Sequence, residues 1–199
     1  HYKAYELLGL IYEKKGNLNK SRENYYKAID IIEGSYEKDK SDLSNEIINL
    51  KNNLANLYII YNLTKPAEKL YLEVLEHNKE KDELKNIATT YNNLGLLYFK
   101  TYEYDKSKEN YLKALQIRKE MKIGSSFRDA TIHIGLGDVY RLQNKYKESE
   151  REYNKANRLL DNVQGGIEEK IILLNNMALL FNEKRDVKKQ EEYLLKSIE

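Results

Sequence analysis

The stretch Tyr91-Asn92-Asn93-Leu94-Gly95-Leu96-Leu97-Tyr98 decides the fold of this 199-residue chain. Tyr91, Leu94, Gly95 and Tyr98 stand at i, i+3, i+4 and i+7, the spacing of one face of an α-helix. The same spacing recurs as Tyr5-x2-Leu8-Gly9-x2-Tyr12, Lys51-x2-Leu54-Ala55-x2-Tyr58, His133-x2-Leu136-Gly137-x2-Tyr140 and Leu174-x2-Met177-Ala178-x2-Phe181. The small residues are separated by 46, 40, 42 and 41 positions. Five copies at a near-constant period mark a repeat architecture, in which each copy is one supersecondary unit.

A second helical pattern begins twelve residues after each Gly or Ala: Ser21-x3-Tyr25-x2-Ala28, Ala67-x3-Tyr71-x2-Val74, Ser107-x3-Tyr111-x2-Ala114, Ser149-x3-Tyr153-x2-Ala156 and a degraded Gln190-x3-Leu194-x2-Ser197. Each repeat is therefore two helices, A and B. The small residues let the pair approach closely, and the Tyr rings fill the gaps. Gly16, Asn62 and Asn144 share one repeat position between the halves, and both residue types tolerate the left-handed conformation that ends a helix. Breaks between repeats are expected at Gly34-Ser35 and the charged stretch to Ser41, at the polar Asn78 to Glu83, at Gly124-Ser125-Ser126 and at Gly165-Gly166. Ser126 and Asp129 have capping-box spacing, and Pro66 follows Thr64, a candidate N-cap. The pattern predicts ten helices at 2–15, 18–33, 43–61, 65–81, 84–100, 103–121, 127–143, 146–161, 167–183 and 187–198.

Composition agrees with an all-α fold. There is one Pro, 9 Gly, no Cys and no Trp, with 33% charged residues, which disfavours a turn-rich β fold. Without Cys there are no disulfides, thiolate nucleophiles or Cys-ligated metals. Lys and Arg number 34 against 32 Asp and Glu, split evenly along the chain, so no basic face of nucleic-acid-binding size is expected. The longest apolar runs, Leu57 to Tyr61 and Ile171 to Leu174, are too short to span a bilayer. The expected setting is cytoplasmic, with neither nucleic acid nor membrane as partner. The chain opens at His1 inside a helical pattern, as a piece of a longer protein would.

These residues resemble the tetratricopeptide repeat, whose signature is W-x2-L-G-x2-Y, then A-x3-F, then Pro. Trp is replaced by Tyr5, Lys51, Tyr91, His133 and Leu174, and the closing Pro by Glu33, Lys79, Lys119 and Asp161. Losing the Pro removes a helix stop, which fits a period longer than the usual 34. The long repeats are similar to the cargo-binding repeats of kinesin light chains and to the peptide-sensing repeats of bacterial quorum-sensing regulators. The resemblance implies a right-handed superhelical solenoid of antiparallel helix pairs. It would form one domain of five repeats, at about 2–41, 42–83, 84–125, 126–166 and 167–199.

In this family helix A lines the concave face, and the resemblance places a bound peptide there. The implied positions are Asn49, Asn52, Asn53 and Asn56 in the second repeat, Asn92, Asn93 and Lys100 in the third, Asp138 and Arg141 in the fourth, and Asn175 and Asn176 in the fifth. Asn is a weak helix former, about 0.7 kcal/mol less favourable than Ala, yet Asn pairs sit mid-helix in three repeats. A carboxamide both donates and accepts, so Asn53, Asn93 and Asn176 form a candidate ladder for a peptide backbone. A solvated polar face without a ligand is the other reading. Gly135 makes room either for a ligand side chain beside Asp138 and Arg141 or for a packing neighbour. The basic clamp used by chaperone-tail-binding members is disfavoured by Glu6, Leu10 and Thr89.

No His pair has metal spacing, and no phosphate loop or nucleophile motif occurs. His133 holds the packing position of Tyr5 and Tyr91 and is read as structural. The chain is expected to be no enzyme, to need no cofactor, and to bind a peptide or protein segment as a scaffold or adaptor. The alternative is a peptide-sensing module of a signalling or transcriptional regulator. Self-association through the terminal repeats is a further expectation, because an end repeat leaves an apolar face to cover. If the Asn ladder binds peptide, replacing Asn53, Asn93 and Asn176 with Ala weakens binding and leaves thermal stability unchanged.

Overall fold

A computed structural model describes residues 1–39, 44–122, 127–162 and 165–198. It contains ten α-helices: α1 Tyr2–Lys14, α2 Leu18–Asp39, α3 Ser44–Ile60, α4 Thr64–Glu80, α5 Leu84–Lys100, α6 Tyr104–Glu120, α7 Phe127–Leu142, α8 Tyr146–Asp161, α9 Ile167–Glu183 and α10 Val187–Ile198. The odd-numbered helices are the A helices and the even-numbered ones the B helices. The chain divides into two compact units, residues 1–93 and 94–199.

Why A stops and B begins is the same in every repeat. Gly16, Asn62, Tyr102, Asn144 and Arg185 all have φ between 58° and 70°. The N–H of the next residue reaches back five positions, as in Leu63 N to Tyr58 O at 2.8 Å and Lys145 N to Tyr140 O at 2.8 Å. That bond, with the adjacent one such as Asn62 N to Ile59 O at 3.1 Å, is the Schellman closure of a helix end. Its acceptor is the carbonyl of the aromatic residue that closes the A pattern. Tyr102 and Arg185 adopt the left-handed conformation without the licence of Gly or Asn, at a cost of about 1–2 kcal/mol. The tertiary packing of the following B helix imposes it.

The A and B helices of a pair are locked by the B-helix tyrosine lying on the A-helix small residue. A Cβ added to Gly9 would sit 2.8 Å from the Tyr25 ring, and one on Gly95 would sit 2.6 Å from Tyr111. Gly137 is pressed against Tyr153 in the same way. Tyr25, Tyr71, Tyr111 and Tyr153 are all buried. Beside this contact Ser21 Oγ donates to Gly9 O at 2.9 Å and Ser107 Oγ to Gly95 O at 2.7 Å, which gives the Ser at the start of the B pattern a role in the first and third repeats. In the degraded fifth repeat Leu194 is exposed, and the ring is supplied one position earlier by Tyr193, stacked on Phe181 at 5.4 Å.

Two local expectations are corrected. Helix α2 runs through Gly34-Ser35 to Asp39, so that pair is no break; a lone Gly in a helix costs only about 1 kcal/mol. The predicted helix 65–81 is found as Thr64–Glu80, so the break within the polar stretch Asn78 to Glu83 falls at its end, and Asn78 inside the helix is 2% exposed. The N-cap of α4 is Leu63, with no side-chain cap, which puts Pro66 in the first turn where its missing N–H is still of no consequence. The break at Gly165-Gly166 holds, with φ of 88° and 79°. Gly124 to Ser126, and with them the Ser126 cap, lie outside the described residues.

Gly-to-Ala substitutions separate packing from helix propensity. Gly34→Ala, with nothing within 4 Å of the new Cβ, is expected to stabilise by up to about 1 kcal/mol. Gly95→Ala is expected to destabilise by roughly 1–3 kcal/mol through overpacking against Tyr111. Denaturant unfolding of the two variants checks the opposite signs.

Candidate functional site

Five of the predicted residues, Asn52, Asn56, Asn93, Asp138 and Asn176, take part in two hydrogen-bonded networks, one in each unit. In the first, Asn93 of α5 donates through Nδ2 to Asn52 Oδ1 at 3.2 Å and to Asn56 Oδ1 at 3.4 Å, both on α3. Asn56 Oδ1 also accepts from the Tyr71 hydroxyl of α4 at 2.5 Å. Burial raises the Tyr71 phenol well above its ordinary value, so it acts only as a neutral hydrogen-bonding group.

In the second unit Asp138 of α7 accepts from the Tyr153 hydroxyl of α8 at 2.5 Å. It also accepts from Asn176 Nδ2 of α9, at 2.9 Å to Oδ1 and 3.2 Å to Oδ2. Burial pushes the Asp138 carboxyl up to about 6, against the hydrogen bond from Tyr153 and the charge of Arg141. Arg141 Nη1 pairs with Glu183 Oε1 at 2.5 Å, again from one A helix to the next, and its Nε is buried without a partner.

The two networks are one device used twice. The B-helix tyrosine crosses the core, lies on the small residue of its A helix, and ends on the Asn or Asp immediately after that small residue. The next A helix then contributes an Asn two positions before its own small residue. Where Leu10 follows the small residue instead, Tyr25 donates to Glu13 Oε2 at 3.0 Å. The pairing of Asn56 with Asn93, and of Asp138 with Asn176, was visible in the repeat alignment as matched polar positions, but only the packing shows that they touch. Because the amide hydrogens of Asn93 and Asn176 are used within the fold, their replacement by Ala is expected to lower stability as well as binding.

Asn53 and Asn92 are half-buried, and Asn49, Lys100 and Asn175 are exposed on their A helices. Asn92, Lys100 and Asn175 share helices with the two networks, and no described hydrogen bond ties them in. Gly135 accommodates packing: a Cβ there would lie 2.5 Å from the Tyr111 ring. His133 donates through Nδ1 to Glu152 Oε2 at 2.7 Å, and the equivalent Lys51 pairs with Glu73 at 2.8 Å. The position that carries Trp in the resembled signature has thus become a polar link to helix B. Burial opposes the charge on Glu152, but hydrogen bonds from His133 and Lys155 overcome it and hold the carboxyl at about 2.

Sequence reading missed Asn78. With Ile48, Asn49 and Asn52 of α3, Val74 of α4, and Asn86, Thr89 and Thr90 of α5, it lines a small cleft holding about 50 Å³ of free space. Its helical spacing from Tyr71 and Val74 was the available signal, and its polarity concealed it. Among the described residues no group of His, Asp and Glu is arranged to hold a metal, and no helix is long and apolar enough to cross a membrane.

Paired helices joined by left-handed turns, with a B-helix ring seated on an A-helix small residue, define an all-α helical repeat protein of the kind that serves as a protein-interaction scaffold. The chain belongs to the tetratricopeptide repeat family: models described as "Tetratricopeptide repeat" match residues 2–34 and 86–162, together just over half of it. No curated protein matches the sequence. Among solved structures, BtubC (BKLC) from P. vanneervenii is similar with a TM-score of 0.81 at 18% identity, over 98% of this chain and 77% of that one. A putative kinesin light chain of Podosopora anserina with TPR-like repeats gives 0.75 at 11% identity, over 98% and 92%. The apo form of RapI gives 0.72 at 18%, over 99% of this chain and 62% of that one. At these identities the likeness establishes the fold.

Asp138 sets a pH dependence whose sign is opposite to that of an ordinary salt-bridged carboxylate. Its folded value of about 6 lies above its ordinary 3.8, so the folded protein holds a proton that the unfolded chain has released. The contribution is fully present below about 3.8 and is lost as pH rises through about 6, a change of up to about 3 kcal/mol. Asp138→Asn keeps the Oδ1 acceptor and removes the titration. Thermal unfolding from pH 3.5 to 7.5 is expected to show the wild type losing stability relative to Asp138→Asn as pH rises; parallel curves would contradict the assignment.

Proposed function

We propose that this chain binds a peptide or protein segment along the outer faces of its A helices. The observation that carries the reading is that polar side chains on those faces are fixed across successive A helices, Asn93 on Asn52 and Asn56, and Asn176 on Asp138. Fixed groups bind with less loss of conformational freedom than mobile ones. Their donors are used internally, which leaves the Asn93 and Asn176 Oδ1 atoms to accept from a backbone N–H. Each such bond contributes roughly 0.5–1.5 kcal/mol and carries no sequence choice. Selectivity then comes from exposed apolar neighbours on the same helices, Ile60, Leu96 and Leu179, and from Lys100 and Arg141.

The test uses a peptide selected from a random library against this chain, with affinity read by fluorescence anisotropy. Asn53→Ala and Leu96→Glu are each expected to weaken binding about tenfold, near 1.4 kcal/mol, without changing the melting temperature. Leu112→Glu, on the exposed side of α6, is expected to leave binding unaltered. Loss of binding only in Leu112→Glu would move the site to the B helices.

A further inference from the structure

The cleft between α3, α4 and α5 in the first unit contains a group that the fold leaves unused. Asn78 is 2% exposed, and its Oδ1 has no hydrogen-bond partner. A buried carbonyl left unpaired costs about 1–3 kcal/mol, so native folds seldom keep one without a use. The backbone of Asn78 already ends α4 by accepting from Glu83 N–H at 2.9 Å, a task that any side chain permits. The carboxamide is therefore dispensable for closing the helix.

We propose that this cleft is a subsite for a carboxamide side chain, Asn or Gln, of the bound peptide. The inference rests on the reading that the A-helix faces take a peptide. Val74, Asn78 and Thr90 form its buried floor, while Asn49 and Asn86 are exposed at its rim. No charged side chain lines it, so an ammonium or carboxylate entering it would lose water without compensation. A carboxamide matches it at both ends. Its N–H2 group donates to Asn78 Oδ1, and its carbonyl accepts from the amide of Asn49 or Asn52. Asn52 already accepts from Asn93 through Oδ1 at 3.2 Å, which leaves its Nδ2 hydrogens to donate. The free space of about 50 Å³, against roughly 10–15 Å³ for one water, suits a group of a few heavy atoms.

Two measurements on the whole chain test this. In the first, acetamide is titrated while side-chain amide resonances are followed by NMR. Saturable shifts at Asn49, Asn52 and Asn78 are expected with acetamide and absent with acetate or methylammonium, and Asn78→Leu abolishes them. In the second, a positional-scanning peptide library is expected to show at least a tenfold preference for Asn or Gln over Ala at one position. Asn78→Leu removes that preference, and Asn78→Asp, which keeps the size of the side chain, shifts it to Lys. Peptides that bind without an Asn or Gln preference, or that prefer Ser or Thr there, overturn the subsite and leave the peptide reading intact. Acetamide shifts with no peptide bound at all overturn the peptide reading and leave an amide-binding cleft.

Discussion

The contact on which the rest of the structure depends is the B-helix tyrosine ring laid on the small residue of its A helix. Gly9 against Tyr25, Gly95 against Tyr111 and Gly137 against Tyr153 leave no space for a Cβ. Interiors packed to crystal-like density do not absorb such an atom without displacement. The contact fixes the separation within each helix pair, and the left-handed residue after helix A sets how the chain turns to make it. Tyr102 and Arg185 show which of the two governs, since they take the strained conformation wherever the pair requires it.

The same tyrosine links core and surface. Its ring contributes apolar burial, and its hydroxyl emerges on the A helix as a donor that must be satisfied. At Asn56 and Asp138 it is satisfied by a side chain that also receives an Asn from the following A helix. Polar groups on the outer face are thereby held by the core itself. Asp138 carries the electrostatic consequence: a carboxylate drawn in by neutral donors loses water without gaining a full counter-charge, and its proton is held more tightly.

Most of the fold was legible in the sequence because repetition multiplies a weak signal. A single Tyr-x2-Leu-Gly-x2-Tyr is ambiguous, whereas five at a near-constant spacing fix ten helices, and seven of the observed helices start where the pattern places them. What failed was local. Gly34-Ser35 looked like a break and is helical, because a helix tolerates one Gly when its ends are closed elsewhere. Asn78 falls inside the predicted helix 65–81, but its burial was not legible, because polarity on a helix is read as exposure. The candidate face was legible as residue types, and the engagement of Asn93 and Asn176 was not. Hydrogen bonds between residues 37 to 41 positions apart depend on the rotation of each helix about its axis, which periodicity leaves free.

The sequence by itself determined the number of helices, the pairing of A with B, and the small-residue seats of the tyrosines. These follow from spacing along one chain and from the size of single side chains. Only the tertiary structure decided which Asn donors are already used, why Gly135 is small, and that a carboxamide oxygen lies buried and unpaired in a cleft among three helices. Those properties belong to distances between side chains on different helices, and they exist only once the helices have packed.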